Sequence, residues 1–327
     1  MAEFSATFLV MFRAMLQLFL IAVLAGFLVR RKWVSQEQVR ALAVITVNVL
    51  LPCMIFVNIA RQFKPADTPG WWLLPILGVA VSSAGLLMAR LLFSRAELPR
   101  KNLLLAMAAL QNSGYMALPL GKMAYPDQFD RFALYTFLFI LGYSPFLWSV
   151  GRHLTAAGGS PAEPRSRWRG FVTPPFAANL AAVALVLVGV AGFIPPVALE
   201  AIDLLGSATV PVATFVLGAT VGGIALSVWP PWADAVRAIG VKLVLLPGLM
   251  VTALTALTAW TPVRVEPLLG NFLVIQAASA PATALALQVR KYGGDAQQTG
   301  SLLLISYSLC LVTLPLWLGL WCLMGRS

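Results

Sequence analysis

Apolar runs of about 20 residues, the length that crosses a bilayer as a helix, alternate with polar connections along the whole chain. Ten are readable, at about 6–29, 39–60, 71–93, 102–125, 131–151, 172–192, 201–226, 238–260, 268–289 and 298–324. Each predicts a membrane-spanning helix. The first is read as a span rather than a cleavable signal, because Arg13 interrupts it and Arg30, Arg31 and Lys32 follow instead of precede it. The longest connection, 153–170, is basic and rich in Gly, Pro and Ser, and it falls mid-chain. It reads as a flexible linker, 152–171, between a first half at 1–151 and a second at 172–327, with five spans each. Five is odd, so a duplicated half enters the membrane in the opposite orientation, and the pattern predicts two inverted repeats. Traces of duplication exist. Pro52 and Phe56 in span 2 match Pro211 and Phe215 in span 7, and "SPFLW" in span 5 matches "TLPLW" in span 10.

Spans 4 and 9 break the apolar pattern in parallel. "LQNSGYMALPL" (110–120) carries Gln111, Asn112, Ser113, Gly114 and Pro119, and "VIQAASAPAT" (274–283) carries Gln276, Ser279 and Pro281. Proline lacks a backbone donor and clashes with the carbonyl one turn earlier, while glycine is a poor helix former. Together they predict a break between Gly114 and Pro119 and another at Pro281. Each backbone group left unpaired in hydrocarbon costs several kcal/mol, roughly, so such breaks belong inside the protein or along a wet cavity. Two broken helices at matching places would cross near the midplane, with half-helix N-termini offering an anion site. Asn112 and Gln276 would add neutral donors and acceptors. The plainer alternative is a pair of proline kinks whose amides fasten neighbouring helices.

Composition sets the class. The chain is 60% hydrophobic and 11% charged, and its mean hydropathy is +0.85. A soluble core cannot absorb that much apolar surface. The net charge of +11 follows the membrane, not a nucleic acid. One side collects Arg30, Arg31, Lys32, Arg40, Arg90, Arg95, Arg100, Lys101, Arg152, Arg165, Arg167, Arg169, Arg237, Lys242, Arg290 and Lys291. The other has only Arg61, Lys64, Arg131, Arg264 and Arg326. The richer side is expected to be cytoplasmic, with both termini outside. None of the 12 acidic residues falls in the middle third of a run, which argues against a carboxylate-based proton or sodium site. Lys122 and Arg13 do enter runs. Snorkelling to the outer interface explains both, and the alternative for Lys122 is attraction of an anion from the outer side. Cys53, Cys310, Cys322 and the lone His153 show no metal-ligand spacing, and no run pairs a nucleophile with a base. Neither a metal, a cofactor nor an enzyme activity is expected.

At this point the residues resemble the auxin efflux carrier family, which includes plant PIN carriers and bacterial carriers of malate- or malonate-like acids. "NVLLPCMIF" in span 2 is similar to the pattern N-V-x-x-P-x-x-x-F at Asn48, Val49, Pro52 and Phe56. "NSGYMALPLGK" resembles N-x-G-x-x-G-L-P-L followed by lysine at Asn112, Gly114, Leu118, Pro119, Leu120 and Lys122, with Ala117 where Gly is common. "KYGGDAQQTGSLLLISYSLCLVTLPLW" is similar to the family's last loop and span. In PIN-like members a Q-A-A motif stands one residue closer to the proline than Gln276-Ala277-Ala278 stands to Pro281.

The resemblance implies an all-α integral membrane protein of ten spans, with broken, crossing spans 4 and 9, as in sodium–proton antiporters of the NhaA type and bile-acid symporters. Spans 1, 2, 6 and 7 would form a dimerising scaffold, and spans 3–5 and 8–10 a domain that moves like an elevator. The crossing would lie at Pro119 and Pro281, with the substrate carboxylate beside Asn112. Ser113, Gly114, Asn48 and Tyr143 complete the candidate set, and either Gln276 or Ser279 supplies the opposite side. The expected function is secondary transport of small organic anions across an inner membrane, driven by membrane potential or exchange. A sodium- or proton-coupled symporter of the bile-acid type and a carboxylate sensor are the alternatives. Expected partners are the carboxylate, lipid and a second copy of the chain.

Overall fold

A computed structural model describes residues 2–93, 100–156, 172–224, 229–292 and 295–324. The linker residues 157–171, with Arg165, Arg167 and Arg169, lie outside the described residues, as does Arg95. The described chain is all helical, with 83% helix and no strands. Its elements are α1 (Ala2–Arg30), α2 (Gln36–Gln62), α3 (Leu73–Leu92), α4 (Arg100–Ala109), α5 (Ala117–Ala124) and α6 (Pro126–Thr155). They continue with α7 (Pro174–Leu187), α8 (Pro196–Gly222), α9 (Trp232–Trp260), α10 (Pro267–Ala278), α11 (Ala284–Tyr292) and α12 (Ala296–Met324).

Seven of these, α1, α2, α3, α6, α8, α9 and α12, are long and apolar enough to cross a membrane. The other predicted runs are shorter for a physical reason. Run 4 is split into α4 and α5, of 10 and 8 residues, and run 9 into α10 and α11, of 12 and 9. Run 6 forms the 14-residue α7, opened by Thr173, whose hydroxyl accepts from Phe176 N, and by Pro174 at its first position.

Polar side chains cap several helix starts. Ser35 and Gln38 form a reciprocal capping box at the start of α2, with bonds of 2.8 and 3.1 Å. Asp295 accepts from Gln297 N and Gln298 N at the start of α12. Prolines inside α2 and α9 are each preceded by a π-helical turn, Thr46–Leu50 before Pro52 and Val241–Leu245 before Pro247. Proline cannot donate to the carbonyl four residues back, and widening the turn accommodates its ring. The freed Leu243 carbonyl is taken by the Trp317 indole N–H of α12 at 2.8 Å.

Packing is helix on helix. α1 lies between α8 and α12, α2 lies against α7 and α8, and α3 lies against α4 and α6. α9, α10 and α12 pack together. Where α1 meets α8 the backbones touch. A Cβ built on Gly26 would stand 2.7 Å from Gly222 Cα, and one on Gly218 would stand 2.3 Å from Ala22 Cα. Small residues spaced by four give this close approach, which van der Waals contact stabilises in lipid. On the other side, Phe272 of α10 makes edge-to-face contacts with Phe132 and Phe139 of α6, with centroids 5.4 and 5.7 Å apart. Each such pair contributes about 1 kcal/mol beyond area burial.

α9 corrects one expectation. Asp234 and Arg237, which precede the predicted run at 238–260, belong to the helix, which begins at Trp232. Lys242, counted with the cations of the richer side near the start of the run, is therefore a full turn or more deeper than expected. It lies well inside the span with its side chain completely buried.

Candidate functional site

Inside the protein the two unwound peptides meet. Asn112 N donates to Ala280 O at 2.8 Å, and Ala282 N donates to Leu110 O at 2.9 Å. Gln111 and Pro281 thereby face each other as an isolated antiparallel bridge. In this type of pairing the facing residues use their own N–H groups elsewhere, so the donor that Pro281 lacks costs nothing here. The two breaks thus satisfy each other's orphan backbone groups, which is what makes unwound peptide tolerable at this depth.

The geometry moves the expected crossing. It lies at Gln111 and Pro281, not at Pro119 and Pro281. The unwound stretch covers Leu110 to Met116, and Pro119 sits in the first turn of α5. There its missing N–H would be an orphan in any case, and Leu118 N closes the turn onto Gly114 O at 3.0 Å.

Two tyrosines brace the bridge, one on each of its strands. Tyr143 of α6 donates its hydroxyl to Gln111 O at 2.5 Å. Tyr307 of α12 donates to Pro281 O at 3.3 Å and accepts from Asn112 Nδ2 at 2.5 Å. Asn112 Nδ2 also reaches Thr283 Oγ1 at 3.4 Å, so its amide is fixed between α12 and the start of α11. Tyr307 and Thr283 were not anticipated. The polar insertion Ser306-Tyr307-Ser308 in an otherwise apolar span was the available signal.

The remaining candidates divide. Gln276 donates to Ser113 O at 3.2 Å across the crossing, with its Oε1 buried and without a partner. Ser113 Oγ and Gln111 Nε2 are likewise buried and unpartnered, while Gln111 Oε1 accepts from Ser82. Three unpaired polar atoms thus gather around one bridge, where each costs about 1–3 kcal/mol if nothing binds it. Gly114 is half-buried, and a Cβ there would meet nothing within 4 Å, so the backbone beside Ser113 faces open space. Ser279, by contrast, spends its hydroxyl on Ile275 O of its own helix at 2.7 Å. Asn48 is exposed in the π-turn of α2, a turn that borders α7 and α8 rather than the crossing. Lys122 is exposed at the far end of α5, its ammonium 4.7 Å from the Phe129 ring centre.

Two features adjoin the crossing. A cavity of about 350 Å³ opens between α1, α8 and α12, lined mainly by apolar side chains together with Arg30, Tyr307 and Ser308. Tyr307 belongs to both the cavity and the bridge. On the other side, the buried Lys242 ammonium donates to Ala277 O in the last turn of α10 at 3.4 Å. Cys310 of α12 caps the neighbouring Ala278 O at 3.3 Å.

No curated protein matches the chain. The family model described as membrane transport protein, that of the auxin efflux carriers, matches residues 10–318. A paired break in two helices, enclosed in an all-helical body with seven apolar spanning helices, is in keeping with that match, and the chain belongs to the auxin efflux carrier family of membrane transporters.

Proposed function

We propose that the protein is a secondary carrier of small organic anions and that the bridge at Gln111 and Pro281 is its substrate site. The observation that carries this reading is the gathering of three buried, unpartnered polar atoms, Gln111 Nε2, Ser113 Oγ and Gln276 Oε1, around two mutually paired breaks. A carboxylate accepts from the amide N–H and hydroxyl groups there. The N-termini of α5 and α11, which start just past the two breaks, add favourable dipole ends. Gln276, donating to Ser113 O, positions the peptide that bears the Ser113 hydroxyl.

In this reading the helices count as ten spans in two inverted repeats, with α4–α5 and α10–α11 as the broken spans 4 and 9. Spans 1, 2, 6 and 7 form a scaffold through which two copies associate. Spans 3–5 and 8–10 carry the anion across in an elevator step, and the cavity bordered by Tyr307 is the substrate's path to the site. The protein sits in an inner membrane with both termini outside. Membrane potential or exchange drives transport, since one charge crossing 100 mV is worth about 2.3 kcal/mol. Reconstituted protein tests this with radiolabelled malonate. Counterflow and voltage-dependent net flux are expected. Flux that needs a sodium or proton gradient and ignores voltage would contradict the driving force.

A further inference from the structure

Lys242 has no role in the site so far described, and its position is unusual. Its side chain is 0% exposed and lies within a helix that spans Trp232–Trp260. Among the described residues no carboxylate pairs with it. Its hydrogen bond goes to the neutral Ala277 carbonyl, at the C-terminal and therefore negative end of α10. The titratable group facing it from α12 is Cys310, and neither α10 nor the part of α9 beyond Pro247 carries a charged residue. Asp234 and Arg237, nearer the start of α9, approach each other at 3.9 Å. A buried cation without an anion is costly, and the anion that this protein is proposed to carry binds at the end of the same half-helix.

We propose that Lys242 is the built-in counter-charge of the carrier: its ammonium travels with the crossing and cancels one negative charge of the bound anion. This rests on the proposed function above. The loaded domain then moves with the substrate's charge less one. A singly charged acid crosses as a neutral load, and the empty domain returns carrying one positive charge. For an exporter working against a negative interior, the membrane potential therefore acts on the empty return step.

The test is homoexchange of radiolabelled lactate and malonate in vesicles clamped at 0 and −100 mV, for wild type, Lys242→Gln and Lys242→Arg. Glutamine keeps a donor for Ala277 O and removes the charge, whereas arginine keeps the charge. Lactate exchange by wild type and Lys242→Arg should be flat with voltage. Lys242→Gln should become steep, changing by about fivefold or more, with roughly 50-fold the ceiling for one full charge. A flat Lys242→Gln profile, or a steep wild-type profile with lactate, would reduce Lys242 to a helix cap and overturn the proposal. If Lys242→Gln does not fold, wild type decides alone, because malonate must be steeper than lactate by one charge. Failure of wild type to exchange either acid defeats the carboxylate-carrier reading itself, a result distinct from the others.

Discussion

Replacing Tyr307 by Phe removes one oxygen atom from the point where α12, Asn112 and Pro281 meet. The ring stays, so no cavity opens and the effect is confined to hydrogen bonds. Two are lost, Asn112 Nδ2 to Tyr307 at 2.5 Å and Tyr307 to Pro281 O at 3.3 Å. At about 1 kcal/mol each for neutral bonds the destabilisation is about 2 kcal/mol. Asn112 Nδ2 retains only Thr283, at 3.4 Å. For a chain of this length that corresponds to a fall of about 3 °C in the thermal midpoint. Tyr143→Phe removes a donor from Gln111 O, but Ser113 N also donates there at 3.0 Å, so about 1 kcal/mol is expected. The two hydroxyls brace opposite strands of one bridge. Their double variant should depart from additivity by about 0.5 kcal/mol or more. Thermal unfolding of the four proteins in one detergent, at one heating rate, measures this. A Tyr307→Phe midpoint equal to wild type, or strict additivity, would refute the idea that the tyrosines hold the crossing together.

Gly222→Val should disrupt the contact of α1 with α8, because even a bare Cβ there would lie 2.4 Å from Gly26 Cα. A loss of about 3 kcal/mol or failure to fold is expected from overpacking, read by thermal unfolding. Ser279→Ala should leave malonate counterflow within about twofold of wild type, since its hydroxyl serves Ile275 O, whereas Gln276→Ala should lower it by about fivefold or more, because it frees the Ser113 carbonyl that Gln276 holds across the crossing, a neutral bond worth about 1 kcal/mol. Lys122→Gln should change stability by about 1 kcal/mol or less, the worth of an exposed cation–π contact, and leave counterflow intact.

Much of this was legible in the residues. Seven of the apolar runs became helices long enough to cross a membrane, and the polar insertions of runs 4 and 9 became breaks that pair with each other. Two details were not legible, for a common reason. The break was expected to end at Pro119, but proline is harmless in a first helical turn, so the chain unwinds before it, and the crossing falls at Gln111. Lys242 was counted with the membrane-proximal cations of the richer side, because the run was taken to begin at 238, four residues before it. Asp234 is nearly buried, and it and Arg237 belong to the helix, which shifts Lys242 inward. Local polarity marks where a span can stop, whereas burial by neighbouring helices decides where it does. Tyr307 was missed because the polar insertion Ser306-Tyr307-Ser308 does not say which of its residues faces inward, and only the packing of α12 against the crossing gives Tyr307 its partners.

The central claim is that a carboxylate binds at the paired breaks beside Asn112. The direct measurement is the thermal shift produced by a panel of small carboxylates, including malonate, malate and lactate, on wild type and on Asn112→Ala. The account predicts that at least one acid stabilises wild type, and that Asn112→Ala, still folded, shows no shift with the same acid. An undiminished shift in Asn112→Ala would contradict it.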